Sequence, residues 1–276
     1  MGRLEEAIKG LGKKQRKMGD YIIQNYRRVA FMSAQELARE LNVSPSTIVR
    51  LAQKLGYQGY PGLQDELRRL IEMQISPMRQ LRQSVDEFTS EEDVISDVLS
   101  EDIDAIQRTR TEFLKKSFLE AVDALSKARR IYIIGLRSSY CLAYYFWFLL
   151  SQFLNNVQCI QSGTDDIFDR ILGIARGDVL FAIGFPRYTR RTLQVVSYAK
   201  DKGVTVIALT DGPASPLAAA ADIQLLVSNP RNVYSFVAPM SVLNALIVAL
   251  GARFKEEVHR GLSEREKTLI ETGIYY

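Results

Sequence analysis

The sequence predicts two domains: an all-α domain built on a helix-turn-helix, then an α/β domain with a doubly wound parallel sheet. Three observations lead there. Residues 33–56 read as two short capped helices around a tight turn. Beyond residue 130, short unbroken apolar runs alternate with helical stretches, the pattern of a parallel sheet covered on both faces. Charge is also segregated. Residues 1–75 hold thirteen Lys and Arg against eight Asp and Glu, a net +5, whereas the whole 276-residue chain carries only +4.

In chain order, Arg16 to Val29 places Met18, Tyr21, Ile22, Ile23, Tyr26 and Val29 at helical spacing. Ser33 with Glu36 three residues on is a capping box, and Leu37, Ala38 and Leu41 share one face. Asn42 and Val43 make the turn. Ser44 is a cap, Pro45 fits the first helical position, where a missing N–H costs nothing, and Gly56 ends the second helix. Ile48, Leu51, Ala52 and Leu55 point inward, which leaves Ser46, Thr47, Val49, Arg50, Gln53 and Lys54 outward. Such a mix of hydroxyl, methyl and guanidinium groups on the second helix is what reads DNA bases. A helical hairpin in an unrelated bundle would show the same pattern, but the +5 charge favours a phosphate backbone as partner. Thr47 and Arg50 are the expected base readers, with Ser46, Gln53 and Lys54 on bases or phosphates. A turn over Tyr57 to Gly62 then leads to a helix from Leu63 to Ile75, with Leu63, Leu67, Leu70 and Ile71 in phase, and Pro77 punctuates its end.

The expected boundaries are 1–76 for the DNA-binding domain, 77–127 for a helical linker and 128–276 for the α/β domain. The linker is acidic: residues 90–126 carry ten Asp and Glu against four Lys and Arg. Its stripe of Val94, Ile95, Val98, Leu99, Ile103, Ile106, Phe113, Leu114, Phe118, Leu119, Val122 and Leu125 marks it as connector and packing surface. Strands are expected at Ile131 to Gly135, Val157 to Ile160, Val179 to Gly184, Val204 to Leu209 and Ile223 to Val227. Helices follow several of them, so ligands belong beyond the strands' carboxyl ends, beside helix N-termini.

Composition narrows the function classes. Hydrophobic residues make up 47% and charged residues 25%, a globular balance. No apolar signal core opens the chain, and the most apolar stretch, Tyr140 to Leu154, is too short to span a bilayer, so a cytoplasmic protein without a membrane partner is expected. Cys141 and Cys159 read as reduced core thiols. With His259 the single histidine, no Cys/His metal site can form; no cofactor is expected.

Taken together, Ser33-Ala-Gln-Glu-Leu-Ala, Val43-Ser-Pro-Ser-Thr-Ile-Val-Arg-Leu-Ala-Gln-Lys-Leu-Gly56 and Tyr57-Gln-Gly-Tyr-Pro-Gly-Leu63 resemble the RpiR/MurR family of bacterial transcription regulators. That family joins a helix-turn-helix to a sugar isomerase (SIS) domain. Ile134-Gly135-Leu136-Arg137-Ser138-Ser139 is similar to the first SIS phosphate loop, and Thr210-Asp211 with Ser215-Pro216-Leu217-Ala218 to the third. The second loop departs: where SIS domains usually carry Ser-x-Ser-Gly-x-Thr, this chain has Phe185-Pro186-Arg187-Tyr188-Thr189. The resemblance implies phosphosugar recognition and self-association.

Ser138 and Ser139 could cap the helix after the first strand or cradle an anion. Arg187 can hold a phosphate or carboxylate in a bidentate fork, with Thr189 beside it. Ser215 could bind ligand or cap Pro216-Leu217-Ala218, and Gly135 serves backbone geometry. Glu256, Glu257 and His259 could move protons but read as a solvated helix end, so no catalytic residue is assigned. The expected function is a ligand-responsive transcription regulator, not an enzyme. Its expected partners are double-stranded operator DNA, a small anionic effector of which phosphosugars are one class, and at least one further copy of itself. The alternatives are a sugar-phosphate isomerase with an accessory helical domain, and a DNA-organising protein whose SIS domain only oligomerises.

Overall fold

The computed structural model describes residues 4, 7–8, 10–74, 85, 90–161, 163, 166–230 and 233–274. Ile75, Pro77 and most of the linker's first third lie outside them, as do the side chains of Leu70 and Ile71. The chain divides into two compact units, Met1–Arg79 and Gln80–Tyr276.

The first unit is all helical: α1 (Lys13–Gln24), α2 (Tyr26–Val29), α3 (Ala34–Glu40), α4 (Pro45–Lys54) and α5 (Tyr60–Gln74). The single helix expected over Arg16 to Val29 is two, broken at Asn25, whose backbone leaves the helical region (φ −115°, ψ 21°). Its side-chain amide donates to the Tyr21 carbonyl at 3.0 Å, the local competition that makes Asn a helix terminator. Ile22, Val29, Leu37, Ile48, Leu51, Leu63 and Leu67 form the buried centre. Helix α5 also satisfies the carbonyls at the end of α2: the Tyr60 hydroxyl donates to Met32 O at 2.9 Å, Gln64 to the same oxygen at 2.6 Å and Arg68 to Ala30 O at 3.0 Å. Burial pushes the Tyr60 phenol up to about 12.

The second unit opens with α6 (Glu91–Thr109) and α7 (Glu112–Lys127), then alternates β1 (Ile131–Gly135), α8 (Tyr140–Leu150), β2 (Val157–Ile160), β3 (Val179–Ile183), α9 (Arg190–Asp201), β4 (Thr205–Thr210), α10 (Pro216–Ala220) and β5 (Ile223–Leu226). It closes with α11 (Val237–Arg253) and α12 (Lys255–Glu271). All neighbouring strands pair parallel, in the order β2-β1-β3-β4-β5. Strand pleating sorts the side chains between two layers. Ile131, Ile133, Phe181, Ile183, Ile207 and Leu209 pack with α7, α8 and α11. Tyr132, Ile134, Leu180, Ala182, Val206 and Ala208 pack with Val195, Val196 and Ala199 of α9 and Leu217 of α10. Both faces are therefore covered, which is why these strands are unbroken apolar runs.

The acidic helices are less separate than a linker would be. Ala105, Ala121, Val122 and Leu125 are buried in the sheet unit's core, and Thr109 donates to Ala105 O (2.8 Å) while accepting Ser228 N–H (2.9 Å). Only part of the stripe packs, however: Ile95, Leu99, Ile103, Phe113 and Leu119 remain exposed. Helix α8 is likewise divided. Phe146 meets Phe181 at 4.8 Å between ring centres, whereas Tyr144 and Phe148 are exposed and stacked on each other. Both cysteines are free, but only Cys159 is a core thiol; Cys141 is exposed. Burial raises the Cys159 thiol to about 11. Among the described residues, no single helix is long and apolar enough to cross a membrane.

At the amino-terminal edge of the sheet, Asp178, 1% exposed, takes two hydrogen bonds from Arg129 (2.9 and 2.8 Å) and one from Ala175 N–H (2.9 Å). Asp178→Ala removes all three and leaves the half-buried Ala175 N–H unpaired. We expect about 2–4 kcal/mol lost, read as a lower calorimetric midpoint for the sheet unit; an unchanged midpoint would make the pair idle.

Candidate functional site

The first candidate site is the outer surface of α4. Ser33 Oγ accepts Glu36 N–H at 3.2 Å and the Glu36 carboxylate accepts Ser33 N–H at 2.7 Å, so the capping box forms. Asn42 is left-handed (φ +53°), with Asn42 N–H on Arg39 O and Val43 N–H on Ala38 O. That is the Schellman end that Asn tolerates. Gly56 (φ +90°) repeats it at the end of α4, with Gly56 N–H on Gln53 O and Tyr57 N–H on Ala52 O. Two such ends fix the length and direction of both helices. Ser44 holds the expected N-cap position, but its hydroxyl joins Ser46 Oγ (2.9 Å) and Thr47 Oγ1 (2.8 Å) and makes no cap bond to a backbone N–H.

Ile48, Leu51 and Ala52 are fully buried, and Ser46, Arg50, Gln53 and Lys54 are exposed. Thr47 and Val49, expected outward, are half-buried. Arg50 folds back on its own helix, its Nε donating to Ser46 O at 3.3 Å. Lys54 crosses to α1, donating to Gln15 Oε1 at 3.1 Å.

The second candidate site follows from strand order. From β1 the chain goes to β2 on one side and from β3 to β4 on the other, so it leaves the two carboxyl ends in opposite directions, the switch point at which such sheets form a ligand crevice. The loops bounding it are 136–139 and 184–189. Each carries an arginine in the left-handed region, Arg137 at φ +57° and Arg187 at φ +60°. A proline followed by a left-handed residue is ordinarily a Pro-Gly turn; Arg187 after Pro186 spends about 1–3 kcal/mol of backbone strain there. Both guanidiniums are exposed.

Around them, Ser138 Oγ lies 2.8 Å from the Tyr234 hydroxyl, and the Phe236 ring packs against both Tyr234 and Phe185. Tyr188 donates to Asp211 Oδ1 at 2.7 Å. Thr189 occupies the N-cap of α9 without a side-chain cap bond. Ser138, Arg187 and Thr189 are thus on loops at the carboxyl edge of the sheet, next to helix starts. Ser139 is there too, but is 5% exposed and makes no cap bond.

Ser215 is drawn away from that set. It is 2% exposed, and its hydroxyl accepts Leu217 N–H (3.2 Å), Ala218 N–H (3.4 Å) and the Thr210 hydroxyl (2.8 Å). It is the cap of α10, and its burial keeps the hydroxyl off the rim of the loops. Glu256, Glu257 and His259 are exposed on α12. Sequence reasoning missed Arg137 and Tyr234. Arg137 stood inside the quoted Gly135 loop, and the aromatic pair Tyr234 and Phe236 just ahead of α11 was the remaining signal.

Comparison with known proteins bears on both units. The model of the rpiR-family helix-turn-helix domain matches residues 1–74, and that of the SIS domain residues 124–249. The chain belongs to the RpiR family. An HTH-type transcriptional regulator of Caldanaerobacter subterraneus is 28% identical over 92% of this chain and 90% of its own. The HTH-type transcriptional regulator HexR of Pseudomonas aeruginosa is 25% identical over 98% and 95%. Among solved structures, the Vibrio vulnificus NanR protein complexed with ManNAc-6P superposes with a TM-score of 0.68 at 22% identity, over 98% of this chain and 97% of that one. The fold is therefore shared along the whole RpiR chain, and its relatives of full length are transcriptional regulators.

Gly135 lets the first loop close. A Cβ there would stand 2.5 Å from the Ser139 carbonyl oxygen and 3.1 Å from Ala143 Cβ, whereas at Gly173 it would meet nothing within 4 Å. Gly135→Ala should lower the melting midpoint of the sheet unit by the equivalent of about 1–3 kcal/mol, with Gly173→Ala near neutral. Equal effects would show that the close approach is not what Gly135 is for.

Proposed function

We propose that this RpiR-family chain is a DNA-binding dimer or larger assembly whose SIS unit senses a small anion without transforming it. Residues 1–76 are the reader and 128–276 the sensor, with the acidic helices between them built onto the sensor. The observation that carries the sensor reading is Arg187, exposed and strained on the loop where other SIS domains carry hydroxyls, beside the β1–β3 crevice. Ser138, Arg187 and Thr189 form the proposed anion set, joined by Arg137, with Ser139 contributing from its buried position. A sugar phosphate is the first class to test, since the NanR relative holds ManNAc-6P. Sensing rather than isomerisation is supported by the exposed positions of Glu256, Glu257 and His259 on α12. Self-association is supported by the exposed Tyr144–Phe148 stack and by the two-fold symmetry of most operators. A regulator that reads the bacterial chromosome works in the cytoplasm.

On the reader, Arg50 and Thr47 face base edges, with Ser46, Gln53 and Lys54 on bases or phosphates. Against an operator selected from a random library, Arg50→Ala should cost about 1–3 kcal/mol, with less loss on random duplex. Equal losses on both would reduce Arg50 to a phosphate contact, and no loss on either would remove α4 as the reading helix.

On the sensor, a panel of sugar phosphates beginning with ManNAc-6P is titrated against thermal melting, where a specific ligand raises the midpoint by mass action. For the ligand found, Arg187→Ala should abolish its effect on operator binding and leave ligand-free affinity unchanged. A normal response in that variant would place the anion elsewhere.

A further inference from the structure

The reading surface of α4 continues into a groove whose α1 side the DNA-contact set does not include. It runs between α1 and the helix-turn-helix and is lined by Gly12, Lys14, Lys17, Met18, Thr47 and Lys54, among others. Lys14 and Lys17 are exposed on α1, and Lys54 is held across the groove by Gln15 at 3.1 Å. Three lysines thus line one concave strip. Among the described residues, none of the three has a carboxylate ion pair. Glu40, which bonds the groove-lining Tyr21 hydroxyl, is already engaged by Arg28 through two bonds of 2.7 Å. Helix α1 also has no acidic residue in its own first turn to answer the positive end of its dipole. Cations assembled without an internal counter-charge repel one another unless an external anion neutralises them.

The position of Thr47 says which anion. Thr47 lies on the first turns of α4, the part of a recognition helix that enters the major groove, and it lines this strip as well. From Thr47 to Lys54 the helix advances about 10 Å, a span that faces several consecutive phosphates of one strand. We propose that Lys14 and Lys17 of α1, together with Lys54, form a clamp for the DNA backbone beside the base-reading face. This rests on the DNA-binding reading above. It adds α1 as a second contact element that fixes register and carries no sequence preference.

The test uses the full chain and a random-sequence duplex, titrated between 0.05 and about 0.3 M salt. Each phosphate contact contributes about 0.9 to the slope of log K against log salt, so Lys14→Ala/Lys17→Ala should make the slope shallower by nearly 2 and weaken binding about 60-fold at 0.1 M. The loss should be the same on a selected operator. Alanine favours helix and both side chains are exposed, so an unchanged melting midpoint verifies the fold. Lys14→Gln/Lys17→Gln, which keeps length and polarity, should lose the same slope. An unchanged slope in either variant, or a loss confined to the operator, overturns the clamp while wild-type DNA binding stands. Wild-type protein that binds no duplex at any of these salts overturns both readings.

Discussion

The second unit is governed by a requirement of parallel sheets: the central strands must be buried on both faces, because the crossover connections lay helices over each. In this chain that requirement explains the unbroken apolar runs, the sorting of Ile133 and Phe181 to one layer and Ile134 and Ala182 to the other, and the position of the site. With β1 and β3 adjacent and the chain leaving them in opposite directions, the crevice is produced by topology before any side chain is chosen. What the sequence then decides is the chemistry of its rim. Gly135 lets the first loop return to within 2.5 Å of where a Cβ would sit, and Phe185 and Pro186, both buried, fix the second loop so that Arg187 projects from it.

The helical unit solves a different problem, holding one short helix rigid while leaving its outer surface unconstrained. Isolated helices the length of α4 are marginal in water, so its order must come from packing and from its ends. Ile48, Leu51 and Ala52 supply the packing. The two left-handed ends at Asn42 and Gly56 settle where the helices stop, and α5 ties down the preceding turn through Tyr60, Gln64 and Arg68. None of these groups lies on the exposed row of Ser46, Arg50 and Gln53. Sequence preference can therefore change by substitution on that row with little effect on stability.

Local chemistry made most of this legible. The capping box, Pro45 at a helix start, Asn42 and Gly56 at helix ends and the five apolar strands are each written within a few residues, and each is found. What could not be read depends on partners distant in sequence. Whether Ser215 caps or binds was open until Thr210 and two backbone N–H groups were seen to use its hydroxyl. Ser44 meets neighbouring hydroxyls where a backbone N–H was expected. Ile106 and Leu125 look like a linker's stripe in isolation, and only the sheet face they pack against makes α6 and α7 part of that unit. Tyr234 reaches Ser138 across 96 residues, and no periodicity encodes such a contact.

One consequence concerns how a bound anion could be felt at a distance. A ligand changes an equilibrium only by its difference in affinity between two arrangements, so it must touch something whose position differs between them. Ser138 and Ser139 lead directly into α8, whose inner face is locked on the sheet through Phe146 and Leu150 and whose outer face carries Tyr144 and Phe148. On the proposed reading, the anion site and the self-association surface therefore sit on one rigid helix less than three turns apart. The strain held at Arg137 and Arg187 gives that coupling an energy source of the right size. Relief or redistribution of about 1–3 kcal/mol per residue is comparable to the coupling energies of allosteric proteins. A sensor built this way needs no reaction, only a loop that is more comfortable around an anion than without one.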